Sequence, residues 1–268
     1  MNKALTKNFL ATAIGSVPFT DPKEACGKIL ESYKEIPFWP QMPKRAFFEN
    51  MYVQYMEGFP CAVIDEKKNK VWIDTSKGLM GEIEKTYHKI IEEDLDYFAI
   101  TEKHAAGFYE FISQAKAFDL KNTAFLKGHI TGPISFGLSV TDEKKQSILY
   151  NPELSETLVK ILAIKARYQI RKLKEIFNNI IIFIDEPYLV SIGSSVVNIK
   201  KDDVTTKIEE VVSAIHEEGA LAAIHCCGNT DWSILLGLDI DILNFDAYNF
   251  LQSISLYPDA LKAFLNRG

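Results

Sequence analysis

The chain has 268 residues, 47% of them hydrophobic and 25% charged, with a formal net charge of −6 from 30 basic and 36 acidic side chains. That length suits one α/β barrel or two small domains, and the composition is that of a globular chain rather than a disordered one. An acidic chain argues against nucleic acid as a partner, and no run of about 18 apolar residues argues for a membrane span.

The one dense basic run, KARYQIRKLK (165–174), reads as the wet face of a helix. Four cysteines are too sparse for a disulfide scaffold, which points to a reducing cytoplasm. The N-terminal MNKALTKNFLATAIGS has a short apolar run and no small-residue cleavage site, so it reads as a native start, not a signal peptide.

In chain order, FLATAIGSVPF (9–19) reads as a short strand ending in Gly-Ser-x-Pro. DPKEACGKILESY (21–33) reads as a helix capped by Asp21 with Pro22 in its first turn. The segment 36–80 is an excursion: a helix over RAFFENMYVQYME (45–57), then CAVIDEKKNKVWIDTS (61–76), which alternates around a polar tip as a hairpin does. The stretch 78–100 gives a helix and a short strand ending near Ile100, and 102–118 a further helix. TAFLKGHI (123–130) is a strand ended by TGP, and 151–179 a long helix. IIIFI (180–184) is wholly apolar, as in a strand covered on both faces. A helix over 202–219 closes at Gly219. ALAAIHC (220–226) and DIDILNF (239–245) are strands around a short helix, and 249–268 is helical with a break at Pro258.

Alternating strands and helices predict a parallel α/β fold of the (β/α)8 TIM-barrel type. About six of eight strands are expected, near residues 12, 97, 125, 181, 222 and 242, within one domain spanning 1–268. Strands 7 and 8 are expected to be missing, leaving open edges that another copy would cover. Polar residues gather just after the strand ends: Gly15-Ser16, Glu102, His129, Asp185-Glu186, His225 to Cys227, and Asp246. In a barrel those ends share one mouth, where chemistry is expected.

His225 and Cys227 stand two apart, so a continuing strand would aim both one way and Cys226 the other. Imidazole and thiolate together suit zinc, and Asp246 offers a carboxylate from the next strand end. Buried packing and a redox or nucleophilic cysteine are the other readings, although no CxxC is present. In DEP (185–187), the acids either cap a turn or send one carboxylate into the mouth. His129 reads as a proton donor, a ligand or a satisfied polar residue. Ile14-Gly15-Ser16 offers N–H groups and a hydroxyl to a carboxylate. No glycine-rich phosphate loop occurs.

AIGSVP, GHITGP, FIDEP and HCCGN, in this order, resemble the catalytic barrel of cobalamin-independent methionine synthase. They also resemble the related short methyltransferases of the uroporphyrinogen decarboxylase-like superfamily. The resemblance runs from about residue 11 to the end and is weakest over 36–80. It implies a zinc-dependent methyltransferase that converts homocysteine, a small-molecule thiol, to methionine. Zinc would lower the pKa of the thiol. Its ligands would be His225, Cys227 and, in place of the family glutamate, the shorter Asp246, while the family's distal cysteine is expected to be absent. Ile14, Gly15 and Ser16 would hold the substrate carboxylate, Glu102 and Asp185 its ammonium, and His129 would protonate the leaving donor.

The family's folate-stacking tryptophan is missing from TGPISFGLSV. The donor is therefore expected to be a methylated corrinoid protein as a fair alternative to methyl-folate. Two alternatives accompany this reading. One is a uroporphyrinogen decarboxylase-like enzyme, which would need arginines at the strand ends, where Arg45, Arg167, Arg171 and Arg267 are not found. The other is a truncated, non-catalytic relative acting as a binding or assembly module.

Overall fold

The computed structural model describes residues 9–194 and 197–267. The segment read as the native start, residues 1–8, lies outside them.

The structure is a mixed α/β fold with several helices, a three-stranded sheet and a four-stranded sheet. Local chemistry sets the first helix, α1 (Pro22–Ser32): Asp21 accepts from the N–H groups of Lys23 and Glu24, and Pro22 occupies the first turn. The hairpin forms where alternation places it. Strand β1 (Ala62–Asp65) runs antiparallel to β2 (Lys70–Ile73), and β4 (Thr141–Asp142) lies parallel beside β2. Asn69, in the left-handed region at φ +49°, makes the turn between β1 and β2.

The central sheet contains β3 (Leu126–Thr131), β5 (Ile180–Asp185), β6 (Leu221–Cys226) and β7 (Ile242–Phe245). These four are parallel and adjacent in chain order. Alternation splits their side chains between two faces. Leu126, Ile130, Ile182, Ile184, Ala222 and Ile224 share one core with Leu158 and Ile161 of α5 (Pro152–Lys174) and Val211 and Ile215 of α6 (Lys201–Glu217). Ile181, Phe183 and Ala223 point the other way, into a smaller cluster with Ile36 and Phe125. Full burial of each Leu, Ile, Val or Phe among them stabilises by roughly 1.5–3 kcal/mol.

Three expected elements differ: the strand near residue 12, the strand near residue 97 and the helix over 45–57. The strand near residue 97 does not form; residues 94–104 are turns and extended chain. Its backbone groups are taken by side chains instead. Lys165 of α5 donates to the Phe98 carbonyl, Tyr109 to that of Ile100, and the Thr101 N–H donates to Glu57. The place beside β3 is filled by residues 36–41, through a parallel bridge between Phe38 and Lys127. Residues 9–17 lie next to that segment, bridged at Ser16–Gln41 but without a strand ladder. Pro37 and Pro40 have no N–H to give, so pairing here is a set of single bridges.

The helix expected over 45–57 is two 3-10 turns, Phe47–Glu49 and Val53–Tyr55. The fully buried Glu49 turns back to the Met42 N–H at 3.1 Å and Arg45 at 2.6 Å, and Asn50 accepts from the Tyr52 N–H. These contacts break the helical run.

Candidate functional site

The register of the central sheet places Thr131, Asp185, His225 and Asn244 side by side in one row at its C-terminal end. The row beneath is His129, Phe183, Ala223 and Ile242. A polar layer therefore sits on a largely apolar one that includes His129. Lys127 is fully buried; its Nζ passes 4.3 Å over the Phe183 ring and donates to the Ile14 carbonyl at 2.5 Å. That bond ties the Ile14-Gly15-Ser16 segment to the sheet.

Each member of the row has a different state. The Thr131 hydroxyl is spent on the Met51 carbonyl at 2.6 Å. His225, 8% exposed, has its Nδ1 2.6 Å from Asn244 Oδ1. Burial lowers its pKa, partly opposed by that hydrogen bond. Asp185 is the unsatisfied member: its Oδ1 is shut off from solvent and has no partner. Burial pushes its carboxyl up to about 7, with the Lys127 charge opposing and Glu186 reinforcing. Burial likewise lowers Lys127 to about 8, opposed by Asp185. An acceptor buried without a donor costs about 1–3 kcal/mol, a cost that a bound donor would offset.

His129 lies beneath the rim, stacked on Trp39 at 3.8 Å between ring centroids. The indole N–H of Trp39 donates to Gln169 Oε1, and Gln169 Nε2 and the Tyr55 hydroxyl both donate to the His129 carbonyl. Gly15, at φ +149°, closes the other side; a Cβ there would stand 2.8 Å from His129 Nδ1. Glycine is required at this crossing on both counts. Both ring nitrogens of His129 are buried without partners. Burial and the Lys127 charge hold its pKa well below the usual value, so the ring is neutral. A neutral, enclosed imidazole is a poor general acid at neutral pH, which weighs against the proton-donor role expected for it.

The two acids of DEP have separate tasks. Glu186, fully buried, accepts from the Ile134 and Ser135 N–H groups at 2.9 and 2.8 Å and from the Ser135 hydroxyl at 2.6 Å. It closes the start of α4 (Pro133–Ser139), and a Cβ on Gly132 would overlap its carboxylate. Glu186 is thus the capping acid, and Asp185 is the acid in the C-terminal row of the sheet.

The cysteine pair is divided as well. Cys226 is fully buried in the main core, donating to the Gly228 carbonyl at 3.5 Å, and burial raises its thiol to about 11. It is packing. Strand β6 stops at Cys226, one residue before Cys227, which is exposed. Asp246 is the cap of α8 (Ala247–Ile254), accepting from the Asn249 backbone and side-chain N–H groups. Among the described residues, no group of three or more His, Cys, Asp or Glu side chains is placed to hold a metal.

The remaining expected residues are placed as follows. Ser16 is exposed and donates to Gln41 Oε1 at 2.6 Å. Glu102 is exposed on the turn that replaces the expected strand, outside the row. Gln41 and Lys127 belong to the site and were not anticipated. A lone lysine inside TAFLKGHI was the available signal for the second. Gln41 had none, because its segment reads as a proline-rich loop. Compared with known proteins, the chain matches no family model, no curated protein and no solved structure.

Proposed function

We propose that this chain binds a small zwitterionic thiol, homocysteine or a close analogue, as the acceptor of a methyl group, within an arc of a TIM-type barrel. The observation that carries the reading is the Asp185 carboxylate in the C-terminal row of the sheet, one oxygen of which is enclosed and lacks a donor. An ammonium group is the ligand chemistry that answers it. The order 9–17, 36–41, β3, β5, β6, β7 across neighbouring parallel segments supports the barrel part of the reading.

In this reading the chain's own residues bind and orient. Asp185 takes the ammonium, and Lys127 fixes the backbone of Ile14 beneath the ligand. His129, Trp39 and Phe183 form the apolar floor that excludes water. Zinc would activate the thiol if bound, and His225 and Cys227 are the residues that would meet it. With its third donor spent as a helix cap, no step is drawn through the metal. The donor is a methyl-folate or a methylated corrinoid protein. The decarboxylase alternative has less support: Arg45 is paired with Glu49, Arg167 and Arg171 with Glu93 and Glu218, and Arg267 with the Leu236 carbonyl.

The test is methionine formation from L-homocysteine with methylcobalamin or methyltetrahydrofolate, after dialysis against zinc. Product that depends on Asp185 supports the proposal. No product from either donor, at protein concentrations near that of substrate, contradicts it.

A further inference from the structure

We infer that the Ser16 hydroxyl presents lone pairs, not a proton, to the mouth, and so selects a hydrogen-bond donor such as an ammonium group. This rests on the reading of the mouth as the ligand site, and it reverses the carboxylate-holding role that resemblance assigns to Ser16.

The hydrogen-bond chain behind Ser16 begins 88 residues away in sequence, at the backbone carbonyl of His104, which can only accept. Gln54 Nε2 lies 2.7 Å from it. The opposite amide orientation would set oxygen against oxygen at that distance, so Gln54 must present its nitrogen there. Its Oε1 then faces Gln41 and accepts from Gln41 Nε2 at 2.9 Å. That leaves Gln41 Oε1 facing Ser16, 2.6 Å from Oγ. Gln54 is fully buried and Gln41 6% exposed, so water does not readily replace either amide partner. A serine hydroxyl has one proton and two lone pairs. Its proton is committed to Gln41, and what remains for a ligand is acceptor capacity.

Reversing Ser16 alone would put a lone pair against the Gln41 oxygen. Reversing Gln41 as well would set its oxygen against the Gln54 oxygen, and reversing Gln54 too would set that residue's oxygen against the His104 carbonyl. The direction of every bond follows from the one group that cannot change, the His104 carbonyl. The chain also has a fixed far end. His104 Nδ1 lies 3.0 Å from Glu57, which in turn accepts from Thr101, so the loop carrying that carbonyl is itself pinned. Ser16 and the unpaired oxygen of Asp185 thus ask for the same thing, a cationic donor, and a carboxylate docked against Ser16 Oγ would meet lone pairs.

Joint neutron and X-ray crystallography of the perdeuterated, ligand-free protein reads the bond directly. The expected result is deuterium on Ser16 Oγ directed at Gln41 Oε1, with the Gln41 and Gln54 amides oriented as above. Deuterium directed away from Gln41, or a Gln41 amide nitrogen facing Ser16, overturns the inference. This outcome does not depend on whether a thiol binds, so it is separable from failure of the proposed function. Binding then tests the consequence. Ser16→Ala is expected to weaken 3-aminopropane-1-thiol about tenfold, the scale of one hydrogen bond to a charged group, and to leave 4-sulfanylbutanoate within about twofold. The reverse pattern overturns the assignment.

Discussion

Two carboxylates leave strand β5 one after the other and meet opposite fates. Glu186 turns toward α4 and finds three donors; Asp185 keeps one enclosed oxygen with none. Burial raises both, each to about 7. The difference lies in whether the protein completes the hydrogen bonding itself. A buried acid that is satisfied is part of the architecture, whereas one left open is a place for something else.

That contrast is breakable. Glu186→Ala should cost about 3 kcal/mol in urea denaturation, because it removes one partner and strands the buried N–H groups of Ile134 and Ser135. A loss below about 1 kcal/mol would mean the capping is incidental. Gly15→Ala should cost about 2 kcal/mol, from the strained φ and the His129 contact together. In a His129→Ala background the same change should cost measurably less, and equal costs would show that the two do not meet.

Asp185→Asn should leave stability at pH 7 within about 1 kcal/mol of the parent, since nothing pairs with the oxygen removed. Its pH signature is specific. With a native pKa raised to about 7, the folded chain holds a proton that the unfolded chain releases near pH 4. Stability from this group is therefore complete below about pH 4 and falls as pH rises toward 7. Denaturation curves across that range should fall less steeply in Asp185→Asn than in the parent.

The smallest effect lies at the opposite end of the sheet. His216 of α6 meets Asp241 at 2.8 Å, and Asp241 also accepts from the Ala222 N–H. The bond to Asp241 raises the His216 pKa. Its contribution is thus present below about pH 6.5 and lost as pH rises through the folded value. Solvent screening keeps it under about 1 kcal/mol, so His216→Asn should narrow the stability difference between pH 5 and pH 8 only slightly.

Much of the sheet could be read from the chain because its strands are short apolar runs between strong punctuation. IIIFI followed by DEP, and ALAAIHC followed by Gly-Asn, left little room for another reading. The same signals led away from the second segment of the sheet. The residues 36–41 contain Pro37, Pro40 and two aromatics, and they pair with β3 by single bridges that no alternation announces. YFAI (97–100) reads as a strand, but its carbonyls go to side chains, Phe98 to the distant Lys165 and Ile100 to Tyr109 of the next helix. The site followed the same rule. Asp185 and His225 were visible as polar residues at strand ends, while Gln41 and the directed chain behind it depend on packing between distant segments. Asp246 was legible as an acid at a strand end but equally as a helix cap, and the cap is what forms.

The proposed function turns on whether the partnerless oxygen of Asp185 receives a ligand. Isothermal titration calorimetry with L-homocysteine, on the parent and on Asp185→Asn at matched stability, tests it most directly. The expected result is saturable binding by the parent, weakened about tenfold or more in Asp185→Asn, the scale of a charged hydrogen bond. Equal affinity in the two proteins, or no binding by the parent, would contradict it.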